Sequence, residues 1–327
     1  ETKTWRIYRK ISPRGGRVYL MRSSRVIPMS AALVLIVGAG QLEATTTLKL
    51  KKSFIEANKD RATLTASFVV DKAHDNPKPA KEDGDIHISG WSDDFQLVAV
   101  AEIMNAKKEL DAVARANDAE GRNPKIPITG VWRIWPEHGG DHEFTQGKTE
   151  KKATSTNPDH ILEIHPLTEF DGIEVADSIG KISGYKYKDA EEAFGRYENT
   201  RFHLDCNAGS STVRMTMSMV GYNYTKFTLV LNEDVTHAMQ DGGKAFKAAI
   251  LDNDDNILVT EERMILIPGT AAFEVLKNAK EGDTFTVLGL PRVSLALVKW
   301  RCEHAAEKPW VLDWDIPYEM VILNVFE

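Results

Sequence analysis

The chain has 327 residues, 42% hydrophobic and 27% charged. That composition excludes wholesale disorder, and the length suffices for two domains with separate cores. Forty-one Lys and Arg against 48 Asp and Glu give a net charge of −7; eight of those basic and two of those acidic residues fall in 1–44, so the remainder carries 33 against 46, a net of −13. On charge alone no nucleic-acid partner is expected.

The first forty residues differ from the rest. Met21 is followed by Arg22 and Arg25 and then by an apolar run over 26–40, with small residues at Gly38, Gly40 and Ala44. A basic start, a short apolar run and small residues are the pattern of a secretory signal peptide. The run is short for a membrane-spanning helix, which needs about 20 apolar residues. The expectation is translation from Met21, with 1–20 as upstream read-through or an extended basic region, and a periplasmic or secreted product. Membrane contact would come only through this segment left uncleaved. Two cysteines, Cys206 and Cys302, and no CxxC exclude zinc-finger and thioredoxin readings. In an exported protein the two either pair or stay as separate thiols, and the sequence leaves both open.

In 61–71, Ala62, Leu64, Ala66, Phe68 and Val70 share one face and Thr63, Thr65, Ser67 and Val69 the other, a strand with one buried side. The prolines and charges of 73–82 make an exposed loop. Asp83-Gly84-Asp85 turns into a second strand over 86–91, and a third spans 97–104. Ala106, Leu110, Val113 and Ala114 recur at helical spacing, predicting an amphipathic helix that Gly121-Arg122-Asn123-Pro124 ends. A fourth strand spans 126–135, with Gly130 a bulge or point of close approach; Trp132 and Ile134 face one way, Val131 and Trp135 the other. The loop His138-Gly139-Gly140-Asp141-His142 leads to a fifth strand over 161–167, which Pro166 stops or places at an edge. There Leu162 and Ile164 point inward, and Glu163 and His165 share the opposite face.

Three strands, a helix and two strands is the order of an OB-fold barrel. Residues 171–205 read as a helical connector, with Asp189 capping a helix on which Ala190, Phe194 and Tyr197 share a face. Strands follow over 212–220, 227–232, 244–251 and 257–268, a helix over 271–280, and strands over 284–290, 293–302 and 319–326. The predicted fold class is mostly β with a few helices, two OB-like β-barrels in tandem. Its divisions are 1–44 (upstream segment and signal), 45–170 (first barrel), 171–205 (connector) and 206–327 (second barrel). The halves share no obvious sequence repeat.

The succession Asp83-Gly84-Asp85-Ile86-His87, Val100-Ala101-Glu102-Ile103, Ile128-Thr129-Gly130-Val131 and Ile161-Leu162-Glu163-Ile164-His165-Pro166-Leu167 resembles a group of secreted bacterial proteins of unknown function. In that group D-x-D-x-H, A-E-[IV], [IV]-T-G-V and I-E-[IL]-H-P strands recur in this order. The resemblance covers roughly residues 60–170; it implies export and a small barrel, and carries no activity. Asp83-Gly84-Asp85 also looks like the strand opening of staphylococcal-nuclease-like barrels. No Arg follows at the expected place and no matching acidic pair appears, so nuclease catalysis is not carried over.

Asp85 and His87 share a face of the second strand, Glu102 lies on the third, and Glu163 and His165 share a face of the fifth. In an OB barrel the third strand sits between the second and the fifth, so these five side chains form one patch. Its donors suit a divalent metal such as zinc; the alternative is a solvated outer face of ordinary polar residues. His138 and His142, on a loop, and Trp135 are candidate ligand-binding residues. Phosphate loops, dinucleotide fingerprints and nucleophile elbows are absent from the sequence. Two functions compete: an exported envelope or extracellular module that binds a protein or glycan, without a cofactor, and a metal-dependent hydrolase using the patch.

Overall fold

Alternation builds the first barrel. In the computed structural model, which describes residues 44–148 and 152–326, β1 (Thr45–Lys51) and α1 (Lys52–Asn58) lead into β2 (Thr63–Ala73), whose Leu64, Ala66, Phe68 and Val70 are buried in the main core. Then come β3 (Ile86–Ser92), β4 (Val98–Ile103), α2 (Leu110–Ala119), β5 (Lys125–Ile134), β6 (Glu143–Thr145), β7 (Leu162–Phe170) and β8 (Ile173–Glu174). β2 pairs with β3 and β5, β3 with β4, β5 with β7, and β4 closes in parallel onto β7. Five strands with one parallel closure, and a helix between the third and fourth, make an OB barrel.

The second barrel repeats this plan. After α3 (Ala190–Tyr197), β9 (Arg201–Asp205) and β10 (Thr212–Ser218), its strands are β11 (Thr225–Leu231), β13 (Lys244–Leu251), β14 (Ile257–Leu266), β15 (Thr284–Val293) and β17 (Tyr318–Phe326); between them lie β12 (His237–Ala238), α4 (Ala271–Leu276), α5 (Leu295–His304) and β16 (Asp313–Asp315). β11 pairs with β13 and β15, β13 with β14, β15 with β17, and β14 closes in parallel onto β17. Asp189 caps α3 as expected, its carboxylate accepting from the amides of Glu191 and Glu192. A third sheet, ordered β16-β9-β10-β1-β6, draws strands from both halves.

Several elements differ from expectation. The expected signal segment over 21–43 and residues 1–20 lie outside the described residues. Residues 212–218 form a strand but in the third sheet, paired with β1, rather than in the second barrel. Residues expected as a strand over 293–302 form α5: the Ser294 hydroxyl accepts from the Leu297 amide and starts a helix where β15 ends. α2 begins at Leu110, after a separate helical turn over Ala106–Lys108. It buries Ala112, Val113, Ala116 and Ala119 and leaves Leu110 59% exposed. Pro166 does not end its strand. The ladder pairs Gly130 with Leu167 and Trp132 with Ile164, so β7 carries an extra residue opposite Val131, and Pro166, which has no N–H, sits unpaired in that bulge. A Cβ on Gly130 would lie 2.7 Å from the Pro166 carbonyl oxygen, which explains the glycine. Cys206 and Cys302 form a disulfide, their Cα atoms 5.4 Å apart.

The barrels pack through reciprocal contacts. Arg133 faces Glu163 across β5 and β7, and Arg292 faces Glu319 at the matching register of β15 and β17. Arg133 Nε donates to the Pro291 carbonyl at 2.9 Å; Arg292 Nη1 donates to the Trp132 carbonyl at 3.2 Å. A second apolar cluster fills the seam, with Ala62, Met104 and Val131 from the first barrel and Ala245, Ile265, Leu288, Leu290 and Val321 from the second. Contacts in which i meets j and j meets i are those of a two-fold related pair.

Candidate functional site

The five residues predicted to share a patch do converge. His87 stands opposite Glu102 on the β3–β4 ladder, and Glu163 opposite Val100 on the β4–β7 ladder, which places His165 beside Glu102. His165 Nδ1 lies 3.4 Å from Glu102 and 3.3 Å from Glu163; its Nε2 lies 3.7 Å from Asp85; His87 Nε2 lies 3.5 Å from Glu102. Leu162 and Ile164, on the other face, join the main core.

A solvated outer face is not what the structure has. None of the five is more than 7% exposed. The second barrel covers them: Tyr224, just before β11, donates to Asp85 Oδ2 at 2.5 Å and sits 2.6 Å from His165 Nε2. Ser89 on β3 donates to the Ser155 carbonyl at 2.7 Å, so the 152–160 segment covers the neighbouring part of the same face.

Sequence reasoning missed the residues that organise this cluster. Arg133, fully buried, pairs with Glu163 and reaches Glu137 and Asn223. Its signal was a guanidinium at an outward position inside the apolar stretch Val131–Ile134. His160 lies 3.3 Å from Glu163, and Lys78 Nζ lies 2.6 Å from His87 Nε2. Tyr224 had no local signal; only the docking of the barrels brings it in.

Burial sets the electrostatics. It pushes the carboxyl groups of Asp85 and Glu102 up to about 8, with Asp83 adding to the first and His165 opposing on the second. Burial would also raise Glu163, but Arg133, His160 and His165 together outweigh it and hold this carboxylate well below its usual range. Burial opposes the charged form of His165, yet Glu102 and Glu163 raise it. His87 falls to about 2, through burial and then Lys78. Among the described residues the Nδ1 of His87 is a buried ring nitrogen without a hydrogen-bond partner.

The three candidate ligand-binding residues do not gather on one surface. Trp135 is buried, edge-on to Tyr197. His138 stacks on His160 at the rim, its side chain 35% exposed. His142 is exposed and pairs with Asp159 at 2.8 Å. Trp310 and Trp314, by contrast, are exposed.

The duplicated plan supplies an internal comparison. With Arg133–Glu163 superposed in register on Arg292–Glu319, His165 corresponds to Val321, Glu102 to Ile265 and His87 to Ala245. The same outer patch is therefore polar in the first barrel and apolar in the second, and buried in both.

No family model matches the chain, and no curated protein matches it. Among solved structures it is similar to the single-stranded DNA-binding protein of Thermus aquaticus, in its wild-type form (10% identity over 70% of this chain and 83% of that one, TM-score 0.17) and as a deletion mutant (10% identity, 70% and 84%, TM-score 0.18). It is also similar to a replication protein A heterotrimer bound to single-stranded DNA (14% identity, 76% and 53%, TM-score 0.16). The expectation of no nucleic-acid partner is corrected by these neighbours, which are single-stranded DNA-binding proteins. A strand is met by one local face of a barrel, and a net charge summed over the chain does not describe that face. By its strand orders and two parallel closures the chain is a protein of two OB-type barrels, with a buried ionisable cluster between them.

Proposed function

We propose that this chain is an exported binding module of the cell envelope or extracellular space, and that its specific site is the polar cluster on the first barrel. The observation that carries this reading is the contrast between His87, Glu102 and His165 and their counterparts Ala245, Ile265 and Val321. Apolar side chains satisfy the packing of that patch in the second barrel. Burying ionisable groups where apolar ones suffice is costly, so packing does not account for their presence. A macromolecular ligand would reach the cluster only at its rim, where Glu137, His138 and Lys78 are 20%, 35% and 22% exposed. Export is supported by the signal-like segment before Thr45, by the resemblance to secreted proteins, and by the Cys206–Cys302 bond, since disulfides persist in oxidising compartments. The hydrolase reading draws on the same convergence, but the burial of all five side chains favours holding a ligand over turning one over.

The test is to graft the second barrel's solution onto the first, as His87→Ala, Glu102→Ile and His165→Val together. The variant should fold with a denaturation midpoint equal to or above that of the parent. A loss of more than about 3 kcal/mol would make the cluster structural glue and end the reading. For export, expression from Met21 should give a new N-terminus between Gln41 and Thr45; a cytoplasmic product retaining 21–40 would overturn that part.

A further inference from the structure

The cluster has a built-in asymmetry around His165. On one side its Nδ1 meets Glu163, whose charge Arg133 already neutralises, and lies 3.4 Å from Glu102. On the other, its Nε2 faces Asp85 and the Tyr224 hydroxyl. An imidazole oriented by a pinned carboxylate on one nitrogen and facing oxygen donors with the other is the usual arrangement of a metal-ligating histidine. One donor atom each from Asp85, Glu102 and His165 lie within 4.8 Å of one another, all three residues buried. Glu137, His138 and Glu163 also approach one another this closely, but there the Arg133 guanidinium already bridges Glu137 and Glu163. Between Asp85 and Glu102 no guanidinium or lysine is placed among the interactions described: His165 itself is the group within 3.7 Å of both, and Lys78 pairs with Asp83 and His87.

We infer that Asp85, Glu102 and His165 bind one divalent transition-metal ion, zinc or manganese, with the Tyr224 oxygen beside it and Glu163 as the residue that orients His165. This rests on the reading that the polar patch is a ligand site and names its ligand. Two carboxylates and an imidazole form a donor set that both ions accept. The ion would hold these buried carboxyl groups as carboxylates, and would tie the residue before β3 to β4 and β7 of the first barrel under Tyr224.

The experiment uses the full chain purified without chelator, with elemental analysis followed by titration of the chelator-treated protein with zinc chloride and manganese chloride. About one equivalent of metal per chain is expected, with loss of binding in His165→Val and in Asp85→Asn/Glu102→Gln. Glu163→Gln should weaken affinity about 10- to 100-fold without abolishing it. Metal absent after purification, together with no binding and no shift of the melting temperature on adding either ion, would overturn the inference. So would binding that His165→Val leaves unchanged. If metal fails to bind while the three-residue graft remains stable, the site reading survives with a different ligand; if the graft also collapses, both fail.

Discussion

Arg133 and Arg292 occupy the same place in the two barrels, and each donates to the carbonyl of the residue that precedes the other. The same Arg–Glu pair appears at the same register of the fourth and fifth strands, beside a glycine, Gly130 or Gly289, that lets the strands approach. The reciprocity ties function to architecture. It fixes the barrels face to face, encloses the outer patch of each, and leaves one patch apolar and the other ionisable.

Arg292 also donates to the carbonyls of Ala62 and Arg61 and to Glu319, which is fully buried. Arg292→Met should cost about 3–5 kcal/mol, because it leaves a buried carboxylate without its main partner. Arg292→Met/Glu319→Met should recover part of the loss and no more, since the carbonyls of Ala62, Trp132 and Arg61 each lose a donor, Arg61 keeping the Trp132 indole N–H. Guanidinium denaturation measures both, and a single variant within about 1 kcal/mol of the parent would show that the seam does not depend on this arginine.

The two equivalent glycines should respond differently to alanine. At Gly130 the added methyl meets backbone, 2.7 Å from the Pro166 oxygen and 2.9 Å from the Leu167 Cα. At Gly289 it meets side chains, the Phe227 ring at 2.6 Å and the tip of Met320 at 3.0 Å. Side chains move more readily than paired strands. Gly130→Ala should therefore cost about 1–3 kcal/mol, and Gly289→Ala less. The reverse order in thermal melts would contradict the packing described for β5 and β7.

Much of this was legible in the sequence. Alternation in 61–71 and 161–167 placed the inward faces, and the strand–strand–strand–helix–strand–strand order named the barrel. From those, Asp85, His87, Glu102, Glu163 and His165 followed as neighbours. Three things were not legible. Whether an outward face meets water or a second barrel depends on docking, so the burial of the patch and the arrival of Tyr224 were invisible. The stretch after Val293 alternates well enough to pass for a strand; a single capping hydroxyl, Ser294, decides for helix. The duplication was hidden because it survives in register, at Arg133–Glu163 and Arg292–Glu319, and not in sequence.

The Cys206–Cys302 bond joins the end of β9 to α5 across 96 positions. A closed loop of that size gives an upper figure of about 4–5 kcal/mol in the chain-entropy model. Cys206→Ser/Cys302→Ser should lower the denaturation midpoint, and reductant should do the same to the parent while leaving the double variant unchanged. Two free thiols titrated in the unreduced, denatured parent would rule the bridge out.

Glu262 offers a test of pH dependence away from the cluster. Its carboxyl group is held well above its usual range, first by burial and then by Glu198 and Glu319, against hydrogen bonds from the Arg263 amide and Tyr318. An acid whose folded pKa exceeds its unfolded value binds its proton more tightly in the native state. Stability is therefore unaffected below the unfolded pKa of 4.5 and is lost progressively as pH rises from there through the folded value. Glu262→Gln removes the titration while keeping an acceptor for the Arg263 amide. The variant should melt above the parent at pH 7, with the difference shrinking as pH falls toward 4. A gap that is constant with pH, or that widens on acidification, would mean that Glu262 is not held neutral in the folded protein.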